Sequence, residues 1–580
     1  MCEVVNVSSV RDTYEQWLHN PNLDEGLRTE LEHVTSEEDI EDRFYKNLEF
    51  GTGGMRGILG AGINRMNLYT VRRATLGLAR FLLQQGDTHA KKGVAVGYDC
   101  RRMSQEFAND IGAVLAAQGI PSYIFEHLCP TPELSYAVRT LGTAAGIVVT
   151  ASHNPPEYNG YKVYGSDGGQ LLPDAAAQII EQVESIQDIF SVPVMDKEEA
   201  IGQGLMHFVG EDMDEAYIQA VLDAVLQPPV QAAQRASLNI VYTPLHGTGN
   251  VPVRETLRRA GYSNTVILRS QEQPDGEFPT VASPNPEEPE ALKLAIAEAG
   301  RQKAHLVMGT DPDADRVGIA VRAADGQYRL LTGNQVGGLL VDFVLKMKQE
   351  TGLLPTNGIV FKTIVTSQLG SEAAKAYGVA VEDTLTGFKY IGNRIGHYEA
   401  TGEHTFVFGY EESYGYLASP MVRDKDAVQI CLLIAEMATY YKSQGMSLLD
   451  ALQDLYRRVG YFREILVSEK LPGADGMAKM QSMLDDLRHR GLRVPGLALI
   501  AVEDYLRGIR QDMATGRETP LTLPRENVLK YFFDNHSWLA IRPSGTEPKI
   551  KVYIGVRGNS ETECEAVLQV LRQAVSNLLQ

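Results

Sequence analysis

Short apolar runs that each end in a polar loop recur along this chain. Val94-Ala95-Val96-Gly97 runs into Tyr98-Asp99-Cys100-Arg101, and Gly146 to Val149 delivers Ser152 to the loop just after it. Leu238 to Tyr242 runs into Thr243-Pro244-Leu245-His246-Gly247, and Leu306 to Gly309 into Asp311. Ile359 to Phe361 runs into Lys362-Thr363-Ile364-Val365, and Phe406 to Phe408 into Gly409. Helical stretches separate these strands; Val71, Ala74, Thr75, Leu78, Phe81 and Leu82, for example, share one face at helical spacing. The alternation indicates α/β domains with largely parallel sheets. Ligands of such sheets sit at the carboxyl ends of strands, which is where the polar motifs fall.

At 580 residues the chain is too long for one core, and three to five domains are expected. Residues 1–44 form an acidic, helix-prone lead with Trp17, Leu18, Leu27 and Leu31 as packing points. The expected domains are 45–205, 206–325, 326–460 and 461–580, the last one smaller. Gln273 to Pro289, rich in Pro, Asp and Glu, reads as an exposed loop of the second domain. Glycines crowd Gly51-Thr52-Gly53-Gly54-Met55-Arg56-Gly57, which calls for unusual backbone angles or close backbone approach.

With 54 Lys and Arg against 74 Asp and Glu, the net charge is −20. That argues against non-specific binding to nucleic acid or an anionic membrane. Cys2, Cys100, Cys129, Cys431 and Cys564 are odd in number, scattered and without a CxxC pair, which argues against a disulfide framework or a zinc site. No secretory signal and no membrane-length apolar window is visible. A cytoplasmic protein is expected.

Four segments carry chemistry. In Thr150-Ala151-Ser152-His153-Asn154-Pro155, Ser152 needs a base or a metal to act as a nucleophile, and there is no G-x-S-x-G elbow. Taken alone, it reads as a helix or turn cap. Lys162 nearby is either a solvated surface lysine or a group that exchanges protons with a sugar hydroxyl. Asp311-Pro312-Asp313-Ala314-Asp315-Arg316 offers three carboxylates in five residues, which repel unless a cation is present. Oxygen-only ligands select a hard metal, Mg²⁺ first, and Arg316 can hold a carboxylate or a phosphate oxygen. Glu411 and Ser413, between Gly409 and Gly415, suit adjacent sugar hydroxyls; Arg423-Asp424-Lys425-Asp426 follows, and Thr386-Gly387-Phe388-Lys389 is a further wall. Arg542-Pro543-Ser544-Gly545-Thr546 has the chemistry of a phosphate cradle, with Lys549 and Lys551 adding charge. Alone, the last two read equally as loops or surface turns.

In these segments the chain resembles the α-D-phosphohexomutase family over roughly residues 45–570, with all four segments in the family's order. The glycine-rich lead and the Gly409–Gly415 form look like its phosphoglucomutase/phosphopentomutase branch. The resemblance implies three similar α/β domains with mixed sheets and a smaller α+β domain around a central cleft. It implies a phosphoryl group on Ser152 and Mg²⁺ held by Asp311, Asp313, Asp315 and one oxygen of that phosphoserine. It implies interconversion of glucose 1-phosphate and glucose 6-phosphate through glucose 1,6-bisphosphate, which also acts as activator. Lys162 and His153 match positions associated with acid/base work, and Arg56 one that orients the serine loop. Arg316, Thr386, Gly387, Lys389, Glu411, Ser413 and Lys425 match the substrate-binding surface; Arg542, Ser544, Gly545, Thr546 and Lys551 match the binders of the non-reacting phosphate. Two features depart from the pattern: Tyr410 stands where several branches carry Gly, and Glu547-Pro548 replaces a longer glycine-rich loop seen in some members, with Lys551 where those carry Arg. A phosphopentomutase, a phosphomannomutase, a sugar bisphosphate synthase, a phosphatase and an inactive binding protein are the alternatives. The partner in all but the last is a phosphorylated sugar, and the chain is expected as a monomer or dimer.

Overall fold

The computed structural model describes all residues except 1–6, Thr52, 471–475, 544–548 and 580. They form two compact units. The first holds the described residues up to Leu331 with Ile391–Gly402 and Gly415–Ser443; the second holds Thr332–Tyr390, Glu403–Tyr414 and the chain from Gln444 onward.

The first unit opens with helices Val7–Leu18, Glu25–Glu32 and Glu37–Phe44. Asp24 and Ser36 cap the second and third by accepting free N–H groups of the first turn. Trp17, Leu31, Ile40, Phe44 and Tyr69 close one small core between them.

A mixed sheet follows, in the order Phe50–Gly51, Gly54–Ile58, Tyr158–Gly165, Ala145–Val149, Val94–Tyr98, Ser122–Phe125 and Met206–Val209. The last four are mutually parallel, and Tyr158–Gly165 turns the sheet antiparallel. Side chains alternate across a strand, and the alternation is visible here. Val94 and Val96 enter the core beneath helices Leu68–Gln84 and Ser104–Ala117, whereas Ala95 enters the core beneath Thr131–Leu141. Both faces are covered, so these strands read as unbroken apolar runs. The strand Met206–Val209 pairs with Ser122–Phe125, so the sheet runs past the boundary expected at 205.

The second sheet has the order Tyr328–Leu331, Val317–Arg322, Leu306–Thr310, Ile240–Thr243, Thr265–Ile267, parallel at the last three. Helix Ala427–Ser443 packs with Glu211–Ala224 and Asn250–Arg259 of this unit. Residues Ala427 to Tyr441 are all buried, as befits a helix apolar on every side.

In the second unit, Ala380–Thr384, Gly358–Thr363 and Thr405–Glu411 run parallel. An antiparallel C-terminal sheet runs in the order Tyr461–Lys470, Lys549–Gly558, Trp538–Pro543, Leu529–Phe533, Leu499–Asp504, Ile509–Asp512, Glu518–Pro520. Leu539 and Ile541 face a core that also takes residues of helices Gly476–Arg490 and Glu561–Leu579. Trp538 and Ala540 face Ile364, Val365 and Leu385 on the other side. Lys530 is buried there, its ammonium 4.7 Å from the Trp538 ring and donating to the Ile364 carbonyl. No helix among the described residues is long and apolar enough to cross a membrane.

Candidate active site

The serine loop is built by hydrogen bonds from below. Thr150 Oγ1 donates to Asp99 Oδ2 (2.6 Å) and accepts the Ser152 N–H (2.8 Å). Ser152 sits at φ 51°, a left-handed conformation costly to a residue with a Cβ. Arg101 offsets that cost. Its guanidinium donates to the carbonyls of Ser152 (2.6 Å), Pro155 (2.8 Å) and Tyr158 (3.0 Å), and to that of Asn154. Asp99 anchors it at 3.3 Å, with both side chains fully buried. Burial, partly offset by Arg101, pushes the Asp99 carboxyl up from its ordinary range. Arg56 comes from the strand Gly54–Ile58 and donates to Asn154 Oδ1 (2.9 Å). That strand can close on its neighbour only with glycine at 54: φ is 104°, and a Cβ would lie 1.8 Å from the Tyr161 carbonyl oxygen.

The buried strand Leu306–Thr310 delivers the aspartate loop to the same place. Ser152 Oγ donates to Asp311 Oδ2 (2.7 Å) and lies 3.2 Å from His153 Nδ1. Asp311 Oδ1 accepts the N–H groups of Asp315 (3.2 Å) and Arg316 (3.0 Å), which folds the loop back on itself. Asp311, Asp313 and Asp315 are all buried, and one oxygen of each lies within 4.8 Å of the others. Burial, then the charges of Asp313 and Asp315, pushes Asp311 well above the usual carboxylate range. Burial acts on Asp313 as well, but Lys162 overcomes it and holds that carboxyl low. Asp313 Oδ1 and Asp315 Oδ1 are buried without a hydrogen-bond partner. Orphaned carboxylate oxygens beside a third carboxylate, with no nitrogen or sulfur ligand, fit a hard divalent cation.

Cations ring this cluster. Lys162 Nζ donates to Asp313 Oδ2 (2.7 Å) and stands 3.7 Å from Asp315. Lys425 Nζ lies 3.0 Å from both Asp315 and Asp424. Arg316 pairs with Glu287, a carboxylate, which was one of the two partners expected for it. Burial, with Arg316 and Arg56 nearby, holds the His153 imidazole well below its ordinary value, so it is neutral at pH 7. The first unit thus gathers Arg56, Ser152, His153, Lys162, Asp311, Asp313, Asp315, Arg316 and Lys425.

The remaining expected residues lie in the second unit. Glu411 ends its strand, 5 % exposed, and Ser413 follows in a turn. Thr386 and Gly387 follow the parallel strand Ala380–Thr384, so both segments leave the same carboxyl edge. The Thr386 hydroxyl is buried without a partner, as are Nε and Nη1 of Arg542. Arg542 stands directly opposite Lys551 on the next strand. Burial lowers Lys389, and the charge of Arg542 lowers it further against the pull of Glu526. Three cations near one another beside unsatisfied donors have the chemistry to take an anion. Ser544, Gly545 and Thr546 lie outside the described residues.

Tyr410 has no part in a polar surface. Its side chain is fully buried between Gly337 and Gly370, where an added Cβ would stand 2.2 Å from the ring and 2.2 Å from the hydroxyl, respectively. Three other contributions carry no local signal in the sequence. Thr131 donates its hydroxyl to Asp313 Oδ2 (2.9 Å) and its N–H to the Asp313 carbonyl (2.9 Å). The Gln273–Pro289 segment is not simply exposed: Phe278 is 1 % exposed beneath the Arg101 guanidinium, and Ser283 donates to the His153 carbonyl. Glu412 accepts from the Thr363 and Thr366 hydroxyls at 3.1 Å, so it braces the loop that presents Glu411.

The chain is similar to known proteins along almost its whole length. The chain matches the phosphoglucomutase/phosphomannomutase models for α/β/α domain I over residues 47–189, domain II over 215–326, domain III over 332–459 and the C-terminal domain over 493–571. It is 39% identical to a phosphoglucomutase of Staphylococcus epidermidis across 96% of this chain and 98% of that one. It is 36% identical to that of Staphylococcus saprophyticus, across 97% and 99%. Among solved structures, Paramecium parafusin, a phosphoglucomutase in its open form, aligns with a TM-score of 0.67 at 17% identity, covering 92% of this chain and 95% of that one. A phosphoglucomutase/phosphomannomutase family protein of Burkholderia thailandensis aligns at 0.64 and 17%, covering 90% and 96%. With four domain models matched in order and relatives this similar along almost their whole length, the chain belongs to the phosphoglucomutase/phosphomannomutase family of phosphosugar mutases.

Proposed function

We propose that the protein interconverts α-D-glucose 1-phosphate and glucose 6-phosphate, with Ser152 as phosphoryl carrier and glucose 1,6-bisphosphate as intermediate. The observation that carries this reading is the Ser152 hydroxyl lodged on Asp311 within the aspartate cluster. In the first half-reaction the P–O bond to Ser152 Oγ breaks and a P–O bond to the free sugar hydroxyl forms, whose proton leaves to a base. In the second half-reaction the other phosphoryl of the bisphosphate returns to Ser152, and the sugar oxygen it leaves takes up a proton. Lys162, held beside Asp313, and His153, beside Ser152 Oγ, are placed for these proton transfers.

Asp311, Asp313 and Asp315 would hold Mg²⁺, and a solved relative, the Aspergillus fumigatus N-acetylphosphoglucosamine mutase, is described in complex with magnesium. When bound, that ion neutralises charge on the transferring phosphoryl group. Arg101 and Arg56 fix the serine loop, which supplies the positioning that phosphoryl transfer chiefly needs. Glu411 and Ser413 read the sugar hydroxyls, with Thr386, Gly387, Lys425 and Arg316 completing the substrate contacts. Arg542, Lys551 and Lys389, with Ser544, Gly545 and Thr546, hold the phosphate that is not being transferred. The described cysteines are free thiols, which supports a reducing, cytoplasmic setting.

A coupled assay offering glucose 1-phosphate, ribose 1-phosphate and mannose 1-phosphate in parallel, with Mg²⁺ and a trace of glucose 1,6-bisphosphate, tests this reading. Preference for glucose 1-phosphate is expected. Preference for ribose 1-phosphate keeps the transfer chemistry and refutes the hexose assignment. Release of inorganic phosphate in place of the isomer refutes the mutase reading.

A further inference from the structure

The first unit contains a cavity of about 290 Å³ that the transfer chemistry does not use. It lies behind the aspartate loop. On one wall, Thr248 donates its N–H to the Pro312 carbonyl; on another, Glu133 stands two residues beyond Thr131, which holds Asp313. None of the residues assigned to metal, phosphate or sugar lines it.

Its polar lining is nearly all acceptor. Glu133 is 3 % exposed and its carboxyl is hydrogen-bonded to that of Asp214; Thr248 is 5 % exposed and its hydroxyl has no partner. Asn250 Oδ1 is also buried and unpartnered. Asn250 uses its amide nitrogen on the Glu272 carbonyl, so the oxygen is what it leaves over. His127 is the one basic group in the lining, and its Nε2 is taken up 2.6 Å from Asp214 Oδ2. Unsatisfied buried acceptors are costly, and a donor-rich ligand relieves them. Leu128, Ile218 and Pro252 supply an apolar wall. The acidic groups are too spread for a metal: among the described residues, the group of carboxylates, thiols and imidazoles gathered closely enough is Asp311, Asp313 and Asp315.

We propose that this cavity binds a small organic cation, an amidinium, guanidinium or ammonium group on an apolar body, which takes the place of the proton shared by Glu133 and Asp214. The cation's N–H donors meet that carboxyl pair and the orphaned oxygens of Thr248 and Asn250, and its body lies on the apolar wall. An anionic phosphosugar is excluded by the same lining. Burial and the adjacent Asp214 push the Glu133 carboxyl well above its ordinary range, and a bound cation would relieve that as well.

Benzamidine is the probe and benzamide its uncharged counterpart, each titrated into the full-length protein by calorimetry. Benzamidine is expected to bind, and benzamide about tenfold more weakly or not at all, the difference made by charge-assisted hydrogen bonds. Glu133→Gln keeps the shape and removes the charge, and should weaken benzamidine about tenfold. Val251, which lines the cavity and is 63 % exposed, offers a variant that leaves the acids intact. Val251→Trp should block binding while mutase activity stays at its wild-type level. The proposal is overturned by no benzamidine binding up to about 10 mM, by equal affinity for benzamide, or by wild-type affinity in Val251→Trp. If Glu133→Gln does not fold, the Val251→Trp result decides alone.

Discussion

Replacing Arg101 by lysine isolates how much the serine loop depends on one planar group. The charge is kept and the fork is lost. Arg101 serves four loop carbonyls and one carboxylate from two terminal nitrogens and Nε. A lysine ammonium has three donors converging on one point, so at least one of the four carbonyls goes unserved. Hydrogen bonds involving a charged group contribute roughly 1.5–3 kcal/mol each, so the loop loses at least about that much. The loss falls on a local element, because the carbonyls all belong to the segment from Ser152 to Tyr158. Ser152 should then leave its left-handed backbone angle. A displacement of about 1 Å at the phosphoryl carrier costs on the order of a hundredfold in rate. The assay is phosphoryl transfer from glucose 1,6-bisphosphate to Ser152 by single-turnover labelling, with amide exchange measured over residues 150–158. Expected are a rate about a hundredfold lower and faster exchange confined to that segment. A rate within about twofold of wild type, with unchanged exchange, would refute the argument that Arg101 holds the loop.

Ser152→Ala should abolish turnover in the coupled assay while shifting the melting temperature by only about 2 °C, since it removes a single hydroxyl hydrogen bond. Asp313→Asn should weaken Mg²⁺ binding by more than about tenfold in calorimetry and strand Lys162 beside a neutral partner; unchanged affinity would remove Asp313 from the metal site. Asp426 gives a pH test. Burial raises its carboxyl to about 6, although Tyr217, Val428 and Gln429 all donate to it. The unfolded chain loses that proton near the ordinary 3.8, so across this window the folded state binds more protons. This group's contribution is therefore most favourable below pH 3.8 and falls by about 3 kcal/mol as pH rises through 6. Asp426→Asn should flatten that part of the urea-midpoint profile, and an unaltered slope would contradict it.

Much of the catalytic arrangement was legible because it is local. The carboxylates of Asp311, Asp313 and Asp315 lie within five residues, and a buried strand ending at Thr310 aims them. Ser152 was legible for the same reason, since it follows the unbroken apolar run of Ala145–Val149; Lys162, expected in the loop region after it, stands inside the strand Tyr158–Gly165. Thr131 was not legible, because its partner Asp313 is 182 residues away and a threonine at the start of a helix has an ordinary explanation. Composition misled over Gln273–Pro289: its prolines and acids suggest solvent, yet Phe278 is buried under a guanidinium supplied by the first sheet's loop. Long-range pairing was not legible from local composition: Met206–Val209 finishes a sheet begun far upstream, and Ala427–Ser443 packs with helices much earlier in the chain.

The packing of Tyr410 bears on how this sequence can change. Gly337 and Gly370 must both lack a side chain for the ring to fit, and each belongs to a different helix. Either glycine replaced alone drives a Cβ into the tyrosine side chain, at the ring from Gly337 and at the hydroxyl from Gly370, and Tyr410 replaced alone by glycine empties a fully buried aromatic site at a cost of about 3–5 kcal/mol. No single step away from this trio is neutral, whereas a combined change that shrinks the ring and refills the space is tolerable. The three positions therefore form an epistatic lock, and a lineage that acquired the tyrosine would keep it for reasons of mutational access, whatever sugar its enzyme handles.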